Sequence, residues 1–113
     1  MSKAGFDPRA FFELARTVGH GRALGLEYRA SGDDWAELGL PWREELVGVP
    51  ESGILASGAI VSLIDTASGT SVWVTLDRFM PIVTVDLRLV LGRGLLRGRL
   101  LRRRTLLLLR LLG

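Results

Sequence analysis

The spacing of apolar and polar positions divides the chain into helical and extended stretches. Phe11, Phe12, Leu14 and Ala15 make a short helical stripe that runs to about Val18. Asp7-Pro8 stands just ahead of it, and Asp can cap a helix while Pro fits the first helical position. Gly19 and Gly21 stop the stripe, and His20 between them reads as a loop residue. Leu24 to Arg29 then alternates, with Leu24, Leu26 and Tyr28 on one face, which predicts a strand. Ser31-Gly32-Asp33-Asp34 is a turn, and Trp35 to Val47 predicts the partner strand, with Pro41 marking an edge or a bulge.

After a loop at Pro50 to Gly53, the segment from Ile54 to about Leu76 places Ile60, Leu63, Ile64 and Ala67 at helical spacing. Small residues (Ser57, Gly58, Ser68, Gly69) would let this helix approach a neighbour closely. It is apolar nearly all round, the pattern of a buried helix or a membrane span. A span would bring Asp65 near mid-bilayer at roughly 3 kcal/mol, and seven Ser or Thr residues dilute the apolar run, so a buried helix is expected. Asp77 to Pro81 is a connection. Ile82 to Leu91 is the clearest strand in the sequence, β-branched and alternating through Thr84, Asp86 and Arg88.

The last 26 residues hold twelve Leu, eight Arg and four Gly. The preferred reading is a hairpin, with Leu95 to Leu101 and Thr105 to Leu112 joined by a turn around Arg102 to Arg104. Two others stay open: a basic amphipathic segment that touches membrane or nucleic acid, or a frame-shifted tail that was never under selection.

Composition adds limits. With 113 residues the chain makes one domain, residues 1–113, with 94–113 as an atypical tail. Apolar residues are 48% and charged residues 24%, ordinary for a soluble globular protein. The formal charge of +3 comes from the tail alone, because residues 1–87 carry seven basic and twelve acidic side chains, a net of −5. A sequence pI near 10.5 would ordinarily suggest nucleic acid, but it comes from one biased segment and is discounted, and neither a nucleic-acid nor a membrane partner is expected. There is no cysteine, so no disulfide or thiolate chemistry, and one histidine makes a poor metal-ligand set. The N-terminus has no apolar signal-like run, and the cytoplasm is the expected compartment.

Helix, hairpin, long buried helix and further strands describe an antiparallel sheet wrapped around one central helix, an α+β fold. Chemistry on that helix would combine two groups. Its N-terminus offers backbone N–H groups and a partial positive charge that can hold an oxyanion. Asp65 offers a nucleophile or a base for water. The pair suggests acyl transfer. Ser57 and Asp65 are eight residues apart, roughly 12 Å along a helix axis, so one small thioester cannot meet both on the same helix. Two antiparallel helices from two protomers would bring them together.

GILASGAIVSLIDTASG followed by VTVDLRL resembles the hotdog-fold acyl-CoA thioesterases, in particular the PaaI-like branch named for phenylacetate degradation. That branch carries G-x-x-H-G-G-x-x-x-x-x-x-D-x-x-x-G on its central helix and V-T/S-V-D-L on the strand that follows. The preceding hairpin matches too, including L-P-W-R-x-E-L-V-G, and the likeness covers roughly residues 20–90. It implies Asp65 as catalytic carboxylate, the Ser57 and Gly58 N–H groups as the polarising donors, and Thr84 as a hydroxyl near the water or thioester. Ala56 stands where the family has a helix-start histidine, beside the substrate, and Pro50 where many members have asparagine. The family's Asp-Tyr-Leu-Arg-Pro continuation is replaced by Val90-Leu91-Gly92-Arg93-Gly94, so the C-terminal strands are expected to be shortened or atypical.

The expected function is therefore hydrolysis of an acyl-CoA thioester to a free acid and CoA, by a homodimer or homotetramer, without cofactor or metal. Trp35, Trp42 and Trp73 read as core or dimer contacts, and Trp73 also as acyl-pocket lining. Arg78, Arg88 and Arg93 read either as CoA-phosphate contacts or as solvated side chains. Three alternatives stand beside this one. Asp65 can be a structural carboxylate bonded to backbone or hydroxyl groups, the protein can bind acyl thioesters without hydrolysing them, or the chain is truncated or frame-shifted and inactive.

Overall fold

The computed structural model describes residues 5–88 and the backbone of residues 106–112. Helix α1 spans Pro8–Ala15, with Pro8 in its first turn and the Asp7 carboxylate accepting from the Ala10 N–H at 3.2 Å. A second short helix, α2 (Gly19–Leu24), follows. His20 thus lies in a helix, where the two glycines suggested a loop. The glycines shape its ends. Gly19 enters with a positive φ, and Gly25 leaves in the left-handed region at φ 70°, where glycine has no steric penalty. The Arg43 guanidinium donates to the Ala23 carbonyl at 2.8 Å and completes the cap.

Strand β1 (Glu27–Ser31) starts three residues later than the alternation suggested, because Leu24 belongs to α2. It pairs antiparallel with β2 (Trp35–Pro41), and the register slips between Tyr28 and Ala30. Arg29 is the extra residue, exposed and paired with Glu27 at 3.0 Å. β2 ends at Pro41, which lacks the N–H to extend the ladder on one side. A 3₁₀ turn at Glu44–Leu46 then leads into β3 (Val47–Val49), which pairs with β4 (Ile54–Leu55). The single long strand expected over 35–47 is therefore a strand, a turn and a second short strand.

Helix α3 spans Ser57–Leu76 and lies against β2 and β5. Its buried positions are Ala59, Ile60, Leu63, Ala67, Thr70, Ser71 and Val74, one face at helical spacing. They meet the alternating side chains Ala36, Leu38 and Leu40 of β2, all fully buried, in a core completed by Phe12, Leu24, Leu26 and Leu55. Buried hydroxyls stay inside the helix: Thr70 donates to the Thr66 carbonyl at 2.8 Å and Ser71 to that of Ser68 at 2.7 Å. By length and composition alone α3 could cross a membrane, but one face of it forms the centre of this core.

Strand β5 (Leu106–Leu112) pairs antiparallel with β2 along its whole length, from Trp35 opposite Leu112 to Pro41 opposite Leu106. The sheet order is β1-β2-β5. The second half of the expected tail hairpin is thus a strand, with β2 as its neighbour, while its first half at 95–101 lies outside the described residues. The strand expected over 82–91 is not present at 82–88, where no ladder partner exists among the described residues. A strand needs a neighbour for its N–H and C=O groups, and β-branched sequence does not supply one.

Gly25→Ala would force a Cβ into the left-handed region, and the atom it meets is the mobile end of Arg43 at 3.0 Å. The conformational cost dominates, so urea unfolding is expected to show a loss of about 1–2 kcal/mol.

Candidate functional site

The site forms on the side of α3 turned away from the sheet. Stepping by 100° per residue, Asp65 falls opposite the buried face centred on Leu63, Ala67 and Thr70. Asp65 is half-buried because one segment covers it. The chain returns from Phe79 and Pro81 over this side, and the Thr84 hydroxyl donates to Asp65 Oδ1 at 2.5 Å. The contact spans 19 residues and brings together two residues singled out from sequence. Thr84 occupies one carboxylate oxygen, fixing the side chain and leaving Oδ2 for another partner.

The other candidates lie at the start of the helix. Ala56 is the N-cap, and no side chain caps the first turn. Ser57 and Gly58 are exposed, and a Cβ built on Gly58 would meet nothing within 4 Å. Their N–H groups lie in the first turn, with the partial positive charge of a 20-residue helix behind them. Gly58 is on the same side of α3 as Asp65, two turns away, so its N–H and the carboxylate lie about 10 Å apart along the helix.

Trp73 is farther along. Its ring packs with Phe6, Phe11 and Phe79 at centroid separations of 5.3, 5.2 and 4.8 Å, and its N–H donates to the Met80 carbonyl at 2.8 Å. This cluster ties α1 and the 77–81 connection to α3, about 12 Å along the axis from Asp65. Trp42 donates to the Gly53 carbonyl at 2.8 Å and holds the loop ahead of the helix, where Pro50 is exposed. In the L-P-W-R element, Pro41 ends a strand, Trp42 anchors that loop and Arg43 caps α2. Arg88 pairs with Asp86 at 3.1 Å, Arg78 is exposed, and Arg93 lies outside the described residues.

Sequence reasoning gave His20 no partner. The structure brings its Nε2 to 3.3 Å from Ser62 Oγ, one turn before Asp65 on α3. The 42 residues between them explain why no local signal showed the pair. Among the described residues no group of three or more His, Cys, Asp or Glu side chains is placed to hold a metal ion.

No protein-family model and no curated protein sequence matches the chain. Solved structures do. A mutant thioesterase from Pseudomonas aeruginosa superposes with a TM-score of 0.53 at 18% identity, over 68% of this chain and 54% of its own. Another Pseudomonas aeruginosa protein gives 0.56 at 37% identity, over 71% of this chain and 57% of its own. A thioesterase from Haemophilus influenzae gives 0.53 at 22% identity, over 68% and 52%. The chain has the hotdog fold that these thioesterases share, an antiparallel sheet with one long helix against it. It spans little more than half the length of each match.

Gly58→Ala adds a good helix former in open space, so stability is expected to rise by about 0.5 kcal/mol in thermal unfolding. A fall in activity alongside that gain would mean that substrate or a second copy occupies the space.

Proposed function

We propose that the protein is a cytoplasmic acyl-CoA thioesterase whose active site is completed by a second copy of the chain. The observation that carries the reading is the Thr84–Asp65 hydrogen bond on the outer side of a core helix with an open N-terminus. A carboxylate held by one oxygen, with no partner on the other among the described residues, suits attack on an acyl carbon. The thioesterase fold and the motif around Asp65 support that chemistry.

In this reading the thioester carbonyl oxygen rests on the Ser57 and Gly58 N–H groups of one protomer, and the acyl carbon faces Asp65 of its partner. Water attacks that carbon while Asp65 takes its proton. The oxyanion forms against the N–H donors, collapses, and the CoA thiolate leaves and is protonated. Direct attack by Asp65 gives a mixed anhydride that water then opens, and it uses the same geometry. Thr84 is a positioning residue in both.

A partner is also supported by exposed apolar surface. Val61, Val72 and Leu76 on the outer side of α3 are exposed, and Val83 and Val85 on the segment that crosses this side are 86% and 93% exposed. Exposed apolar side chains gathered on one side of the molecule suit an interaction site. The 82–88 segment has no ladder partner among the described residues and carries strand-forming residues, which suit pairing with the same segment of a second copy. A homodimer meets both demands, and two dimers can make a tetramer.

Thiol release from a panel of acyl-CoAs is expected for the wild-type chain and to fall about 100-fold or more in Asp65→Asn. The amide can still accept from Thr84, so the variant should keep its fold. Equal rates in wild type and variant would sink the reading, and binding without turnover would make the protein an acyl-thioester binder. Light scattering should give at least twice the chain mass, and Val83→Asp with Val85→Asp should shift it toward the monomer with a loss of thiol release.

A further inference from the structure

A cleft of about 210 Å³ opens between α1, α2 and α3, where Thr66 lines it. Phe12 and Leu24 line it and belong to the core, so the cleft reaches the interior. Phe11 and Ala15 form its outer wall on α1. Its polar lining is confined to Arg16, His20 and Thr66. Thr66 directly follows Asp65 on α3. His20 reaches Ser62, three residues before Asp65, at 3.3 Å. Around the helix the order is therefore Asp65, then Ser62 with His20 against it, then Thr66 at the cleft.

We propose that this cleft receives the acyl group of the thioester, with His20 and Ser62 as the lip between it and Asp65. The inference rests on the thioesterase reading above. A carbonyl held at Asp65 leaves its apolar tail to be buried nearby. The 81–88 segment covers α3 from Asp65 toward the helix C-terminus, with Thr84 on Asp65 and Ile82 over Gly69. Toward the N-terminus Ser62 carries His20, which also lines this apolar opening into the core. An apolar cavity of roughly 150 Å³ takes benzene, so about 210 Å³ takes a group of roughly six to eight non-hydrogen atoms. That fits a hexanoyl or single-ring acyl group and excludes the far half of a dodecanoyl chain.

The test measures kcat/KM of the full chain for saturated acyl-CoAs from two to twelve carbons. Each methylene that enters the cleft should raise it about fourfold, with a plateau near six to eight carbons. Ala15→Trp fills the outer wall and should lower the hexanoyl-to-acetyl ratio tenfold or more. Leu14→Trp places the same indole at a neighbouring position that is 69% exposed and outside the cleft, and should keep the ratio. Circular dichroism checks that both variants fold. Binding of the thioether hexyl-CoA, which cannot be hydrolysed, is measured on the same three proteins and should weaken about tenfold in Ala15→Trp alone.

Turnover with an unchanged chain-length profile in folded Ala15→Trp overturns the cleft assignment and leaves the thioesterase reading standing. Hexyl-CoA binding that depends on Ala15, without turnover of any thioester, keeps the cleft as an acyl site and removes the enzyme. Neither binding nor turnover overturns both.

Discussion

The close contact between α3 and β2 holds the rest of the structure in place. Ala36, Leu38 and Leu40 turn one edge of the strand's alternation toward the helix, and α3 answers with Ala59, Leu63, Ala67, Thr70 and Ser71. These helix residues are mostly small, so the helix axis can lie close to the strand. Fully burying each leucine stabilises by about 1.5–3 kcal/mol, and the buried hydroxyls add no unsatisfied group because the helix's own carbonyls accept from them. Everything else is arranged around this contact. α1 and α2 close one end through Phe12 and Leu24, β1 and β5 flank β2, and Trp42 fixes the loop that launches the helix.

One sheet face can cover only one side of a helix, and this constraint generates the site. α3 is apolar on both sides, but its outer side carries Asp65, Gly58 and Gly69 between exposed valines. Among the described residues its own chain covers that side with one strap, with Ile82 over Gly69 and Thr84 on Asp65. A carboxylate placed this way is shielded enough to be fixed and open enough to be reached. The N–H groups at the helix start stay two turns off, since a helix cannot fold back on itself. In the proposed reading the lone chain therefore carries half of each site.

Much of the architecture was legible along the chain. The capping Asp7-Pro8, the turn at 31–34, the long helix and the strand at the end of the tail all rest on local patterns that the structure keeps. Boundaries were less legible. Leu24 alternates with Leu26 and Tyr28 as in a strand, yet it ends α2, because Arg43 and the left-handed Gly25 stabilise that turn from outside it. IVTVDL has the strongest strand pattern in the sequence and carries no strand at 82–88, since pairing depends on a neighbour and not on the residues themselves. Trp73 joins an aromatic cluster with Phe6, Phe11 and Phe79 that no spacing announces.

By itself the sequence determined which residue types were on hand for chemistry: one carboxylate on an apolar helix, a helix start without a capping side chain, a hydroxyl 19 residues later, and a single histidine. It did so because helix period and residue chemistry are local properties. Only the tertiary structure decided which of them meet. The return of the chain over α3 sets Thr84 on Asp65, and the packing of α2 sets His20 on Ser62 across 42 residues. Those distances depend on where elements pack, which is fixed by burial of the whole core and by no stretch of sequence alone.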